Sequence, residues 1–179
     1  MWPVAVISLV EKMITVRLIR EEDIPGFREV LDFVARERRY PALVEAPPLE
    51  SVKGFVGGII KAGHAQFVAL DEGKTVGWCD ILPGEAAAGT AHVGRLGTGV
   101  HPAYRGQGLG QRLLEAAIAR ARERGLEKIE LTVYSSNLAA IALYRKVGFV
   151  DEGCKMRGRV LDGIHDDILL MALDLRKPA

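Results

Sequence analysis

Val100 to Gly110 reads VHPAYRGQGLG, and the rest of the fold can be placed around it. A glycine-bearing strand, Ala91 to Val100 (AHVGRLGTGV), leads into Arg105-Gly106-Gln107-Gly108-Leu109-Gly110 at the start of a helix. In that helix, Leu109 to Arg124, residues Leu109, Leu113, Leu114, Ala117, Ile118 and Ala121 form one apolar stripe, and Gly125 is a natural stop. Free backbone N–H groups and the helix dipole make such a start an anion site, and glycines let a pyrophosphate approach the main chain. A bound phosphate ester is the direct inference; a tight turn without a ligand is the alternative that glycine spacing leaves open. The glycines at 106, 108 and 110 form GxGxG rather than GxGxxG, and no GxxxxGK[ST] occurs. P-loop hydrolysis and simple dinucleotide binding are therefore disfavoured.

Upstream, Ile14 to Ile19 alternates as a strand, and Asp23 and Pro25 introduce an amphipathic helix over Phe27 to Arg38. Tyr40 to Pro48, with three prolines, is a loop, and Leu49 to Ala62 is a second helix weakened by Gly54, Gly57 and Gly58. Gln66 to Leu70 and Thr75 to Leu82 flank an Asp-Glu-Gly-Lys turn as a hairpin. Downstream, Lys128 to Val133 is a strand, and Ser136 or Asn137 caps a helix running to about Val147. Phe149 to Met156 and Asp167 to Leu175 make a closing strand pair. The order βααβββαβαββ, without internal repeats, describes one α/β (α+β) domain over residues 13–176.

The chain has 179 residues, 49% hydrophobic and 26% charged, which suits one core and excludes disorder. Twenty-four basic against 23 acidic residues leave a charge of +1, so nucleic acid is not expected as a partner. Cys79 and Cys154 show no CxxC spacing, so no metal is expected and a reducing, cytoplasmic setting fits. The apolar stretch Trp2 to Val10 is too short for a membrane span and lacks a basic region before it. Residues 1–12 are expected to be an N-terminal extension.

RGQGLG matches the [QR]xxGx[GA] signature of the GNAT superfamily of N-acetyltransferases, and Asn137 to Phe149 (NLAAIALYRKVGF) resembles its second conserved stretch. The resemblance covers about residues 14 to 175. It implies a mixed, twisted sheet of six to seven strands, splayed into a V between the strands ending near Val100 and Val133, with flanking helices and acetyl-coenzyme A in the V. The main chain of Thr98, Gly99 and Val100 would pair with the pantetheine arm as an added strand. The amides of Arg105, Gly106, Gln107, Gly108, Leu109 and Gly110 would hold the pyrophosphate, with Arg105 adding charge. Asn137 and Tyr144 lie seven residues apart on one helix face. Asn137 would touch the coenzyme and Tyr144 would protonate the departing thiolate.

The reaction implied is direct attack of a primary amine on the thioester, with a backbone N–H near Val100 holding the oxyanion. Where some relatives place a glutamate on the strand before the loop, this strand has none, so Asp80, His92, Glu130 and water remain as bases. The C-terminal part resembles a subgroup acting on small free amines such as amino acids or polyamines, and Asp166 and Asp167 are candidates to attract a cationic amine. A peptide or protein N-terminus, or a sensor that binds acyl-coenzyme A without turnover, are the alternatives. Pairing through sheet edges or helices would make a homodimer.

Overall fold

The computed structural model describes residues 13–39 and 43–176, so the proposed extension over 1–12 lies outside the described residues. Seven strands form one sheet in the order β1-β2-β3-β4-β5-β7-β6. They are β1 (Thr15–Leu18), β2 (Ala65–Asp71), β3 (Lys74–Pro83), β4 (Val93–Val100), β5 (Lys128–Tyr134), β6 (Val150–Leu161) and β7 (Ile164–Asp174). The helices are α1 (Ile24–Arg36), α2 (Leu49–Ala62), α3 (Leu109–Glu123) and α4 (Leu138–Lys146). Element order and type follow the sequence expectation throughout.

Each face of the sheet has its own core, as period-2 alternation requires. Val68 and Trp78 pack under Phe27, Val30 and Val34 of α1 and Val52 and Val56 of α2. Cys79, Ile81, Ile129 and Leu131 pack on the opposite face beneath Leu113, Leu114, Ala117 and Ala121 of α3 and Ile141 and Tyr144 of α4.

β4 and β5 are parallel and pair only from Val93↔Lys128 to Arg95↔Glu130. Beyond that point β4 stays with β3 as far as Gly77↔Val100, and β5 stays with β7 as far as Tyr134↔Ile168. The sheet therefore opens into the expected V, with Leu96 to Val100 forming one wall.

α1 starts at Ile24 rather than Phe27, and in the sheet three boundaries move by two residues or more. β4 begins at Val93 rather than Ala91, because Val93 N–H closes a turn on Thr90 O at 2.9 Å. β6 runs past Met156 to Leu161, and β7 begins at Ile164 rather than Asp167. A register shift between Lys155 and Arg159, with Arg157 at φ 50°, breaks the alternation there, and β6 is almost wholly exposed, so no apolar period marked its length.

The glycines of β4 have a packing cause. A Cβ on Gly99 would stand 2.2 Å from the Trp78 ring, and one on Gly97 would stand 3.0 Å from the Asp80 carboxylate. Trp78 cannot retreat, because it meets Phe27 edge-on at 5.7 Å in the core. Gly99→Ala is expected to cost about 1–3 kcal/mol of stability through overpacking, read by denaturant unfolding; an unchanged midpoint would mean that the ring is free to move.

Candidate active site in the V

In the antiparallel β3–β4 pair, bonded and non-bonded positions alternate. His101 N–H donates to Val76 O at 2.9 Å, and Gly84 N–H donates to Val93 O at 2.8 Å. The intervening odd-numbered residues of β4 therefore turn their backbone groups toward β3, and Leu96, Thr98 and Val100 turn theirs into the V. Of the expected trio, Thr98 and Val100 present N–H groups to the opening, whereas Gly99 serves β3 and makes room for Trp78. The Val100 carbonyl is already taken by Arg105 Nε at 2.8 Å. Its N–H remains directed into the V, and an unpaired strand edge of this kind accepts an extended ligand.

The loop before α3 keeps its amides for the same opening. Gly106 and Gly108 have φ of 73° and 77°, where L side chains are strained, and a Cβ on either would meet open space. Their glycine requirement is conformational. That of Gly110 is packing, because its Cβ would stand 3.0 Å from Leu143 of α4. Gly108 is the N-cap of α3 and no side chain caps that helix. Its first amides, including those of Leu109 and Gly110, are therefore left for an anion. Gln107 folds its side chain back onto Ala103 O at 3.0 Å, leaving its backbone in the loop.

Arg105 departs from expectation. Its guanidinium grips Glu37 at 2.6 and 3.2 Å besides Val100 O, so the side chain ties the loop to the end of α1 rather than pointing free toward a phosphate. Tyr104, donating to Asp71 Oδ2 at 2.6 Å, fixes the start of the same loop.

Asn137 caps α4, its Oδ1 accepting from Ala140 N at 3.2 Å, and its amide nitrogen makes no hydrogen bond among the described residues. Tyr144 is buried beneath β3 and β4, with Phe149 at 5.8 Å between ring centroids. Burial, reinforced by the nearby Cys79 thiol, pushes its phenol well above the usual tyrosine range, so it stays protonated. Cys79 lies opposite Thr98 in the β3–β4 ladder, which brings Tyr144 to the wall of the V.

The three candidate bases separate. His92 is exposed in the turn before β4, at the closed end of the V. Glu130 is held by Lys128 at 2.8 Å, and Lys128 also binds Glu152 at 2.9 Å. Asp80 lies opposite Gly97, just past the point where β4 and β5 part. It is half-buried and lines a cavity of about 570 Å³; burial pushes its carboxyl up to about 7, against a smaller lowering by Trp78. Strand alternation puts Asp80 and Trp78 on the α1–α2 face and Tyr144 under the other face, with the slit between them.

Asp166 and Asp167 have structural partners. Asp166 accepts from Ser135 Oγ at 2.6 Å and from the amide and hydroxyl of Ser136, fixing the β5–α4 turn. Asp167 accepts from Arg157 N at 2.6 Å in the β6 bulge. Sequence reasoning missed Gln66 and Arg95, which face Asp80's surroundings, because only strand register brings them there. Among the described residues no helix is long and apolar enough to cross a membrane, and no group of three or more His, Cys, Asp or Glu could hold a metal ion.

The chain is similar to known proteins. An uncharacterized N-acetyltransferase of Bacillus subtilis is 33% identical over 94 residues, covering 50% of this chain and 57% of that protein. The ribosomal protein bS18-alanine N-acetyltransferase of Escherichia coli is 38% identical over 76 residues, covering 42% of this chain and 51% of its own. The chain thus spans about half the length of these curated relatives. The fold of yncA from Salmonella typhimurium, solved with its cofactor acetyl-CoA, superimposes with a TM-score of 0.86 at 22% identity, covering 93% of this chain and 96% of that one. The sequence profile of the Acetyltransferase (GNAT) family matches residues 27–149, and the chain belongs to that family.

Proposed function

We propose that this protein transfers the acetyl group of acetyl-coenzyme A to a primary amine of a small metabolite. The observation that carries this reading is the slit itself, with a donor, Tyr144, under one face and a carboxyl near neutrality, Asp80, on the other. Thr98 and Val100 offer the main-chain edge, and the amides of residues 106–110 offer the anion site. Both suit the pantetheine and pyrophosphate of the coenzyme, and the space beside Gly106 and Gly108 is open. Asn137, at the head of α4, has its amide nitrogen left over for the same ligand.

Asp80 takes the proton of the incoming amine, directly or through one water. The Val100 N–H is directed to where the carbonyl oxygen gains charge, and Tyr144 donates to the departing sulfur. No acyl group passes to the protein. Burial raises the basicity of a thiolate as it raises that of the phenol, so proton sharing between them stays balanced.

A small acceptor is favoured over a peptide because the way in is bridged. Arg38, just past α1, pairs with Asp162 of the β6–β7 turn at 2.8 and 3.2 Å. Arg159 donates to Arg39 O at 2.6 Å while stacking 4.0 Å over Tyr134. These exposed contacts are individually weak, yet they close what a peptide would need open.

The test is acetyl-coenzyme A consumption and thiol release across amino acids, polyamines and N-terminal peptides, with calorimetric cofactor binding in parallel. Turnover of peptides alone would overturn the small-acceptor reading, and absence of cofactor binding would overturn the transferase reading. Gly108→Ala is expected to weaken acetyl-coenzyme A binding by about tenfold, since a left-handed alanine costs about 1–2 kcal/mol; unchanged affinity would place the pyrophosphate elsewhere.

A further inference from the structure

Arg95 is the basic group beside Asp80, and its natural partner is unavailable. It stands opposite Glu130 where the β4–β5 ladder ends, but Glu130 is bound by Lys128. Arg95 is exposed and makes no hydrogen bond or ion pair among the described residues. It lines the same cavity of about 570 Å³ as Asp80. Because Asp80 opposes Gly97 and Leu82 opposes Arg95, the two charged residues are diagonal neighbours on one sheet face. Such neighbours stand about 7–8 Å apart, and Gly97 between them has no side chain to fill the gap.

A second observation lies behind the same carboxylate. Gln66 faces Asp80 directly across the β2–β3 ladder, on the same side of the sheet. It is fully buried, and neither its Oε1 nor its Nε2 has a hydrogen-bond partner. An orphaned buried amide is costly unless a ligand or an ordered water completes it.

We infer that the acceptor carries an anionic group a few bonds from its amine, in the manner of a free amino acid, and that Arg95 is the residue selecting it. The inference rests on the reading of this face as the acceptor side. The amine sits at Asp80 and the anion pairs with Arg95, while the Gln66 amide, fully buried and outside the cavity lining, backs Asp80 from β2. A guanidinium presents a fork suited to a carboxylate and repels a second ammonium. Polyamines and peptide N-termini, which lack a carboxylate at that distance, are rejected. A site built around a charged group discriminates strongly against analogues lacking it.

The experiment compares kcat/KM for the free amino acids with that for their carboxamides, on the full chain with acetyl-coenzyme A saturating. The wild-type protein should prefer at least one free acid over its amide by about 100-fold. In Arg95→Gln that ratio should collapse toward one, chiefly through KM, and Arg95→Lys should restore part of it. Because Arg95 is exposed, the fold should tolerate both changes, which thermal unfolding checks. Equal turnover of acid and amide, or a ratio untouched in Arg95→Gln, would overturn the inference. So would turnover confined to polyamines or peptides, which would leave acetyl transfer itself standing. If no amine of any class reacts, the inference also falls, and calorimetric binding of acetyl-coenzyme A then decides separately whether the donor site stands.

Discussion

Asp80→Asn should lower kcat/KM by about 10²- to 10⁴-fold, the usual contribution of a positioned general base, while making the protein more stable. Both effects come from one cause. Burial pushes the Asp80 carboxyl up to about 7, which brings its ionisation into the neutral range where a general base works. In the wild-type protein, kcat/KM should rise with pH through about 7; Asp80→Asn should lose that limb and retain only the one belonging to the acceptor amine. The stability effect has a definite sign. A carboxyl of ordinary pKa about 3.9 in the unfolded chain, raised to about 7 in the folded one, supports the fold fully below the lower value. That support is lost as pH rises through the upper value. Asparagine has no such cost, so the gap in Tm between variant and wild type should widen as pH rises from about 4 to about 7 and hold constant above that, at about 5 °C or more. Full turnover by Asp80→Asn would remove the base assigned here, and a Tm gap independent of pH would remove the burial argument.

The fold was legible because its main signals are local. The stripe from Leu109 to Ala121 and the stop at Gly125 define α3 without reference to any other element. The alternation of β2 and β3 around Glu72-Gly73 defines a hairpin. The donor side of the proposed site rests on local signals too, since a glycine loop at a helix start and a tyrosine seven residues from an N-cap are short-range patterns. Of the acceptor side, the sequence offers only Asp80, and that as one of three candidate bases. Asp80, Gln66 and Arg95 come from three strands and meet only through register, and a single-residue slip would send any of them to the other face. The meaning of Gly97 and Gly99 was equally hidden. Their spacing suggests a ligand approaching the backbone, whereas their immediate neighbours are the Asp80 carboxylate and the Trp78 ring. Arg105 likewise could not be paired in advance with Glu37, 68 residues away.

Tyr144→Phe should reduce kcat by about 100-fold or more while leaving acetyl-coenzyme A affinity within about twofold, because the change removes a donor to the departing sulfur and little else. The ring stays packed on Phe149, and the hydroxyl is the only atom lost. The size of the loss depends on how badly the leaving group needs a proton. An alkyl thiolate, with a thiol pKa near 8.5, is a poor leaving group in a desolvated slit, and the phenol under it stays protonated at any working pH because burial pushes its own pKa well above the usual value. The alkaline side of the wild-type profile should therefore stay flat past pH 10, where an ordinary tyrosine would begin to ionise. The leaving group supplies the sharper test. With a thioester of a much more acidic thiol, departure needs no donor, and the ratio of wild-type to Tyr144→Phe rates should fall toward one. If the ratio is the same for both thioesters, Tyr144 shapes the wall of the V and donates nothing; if it collapses, the hydroxyl acts on the sulfur.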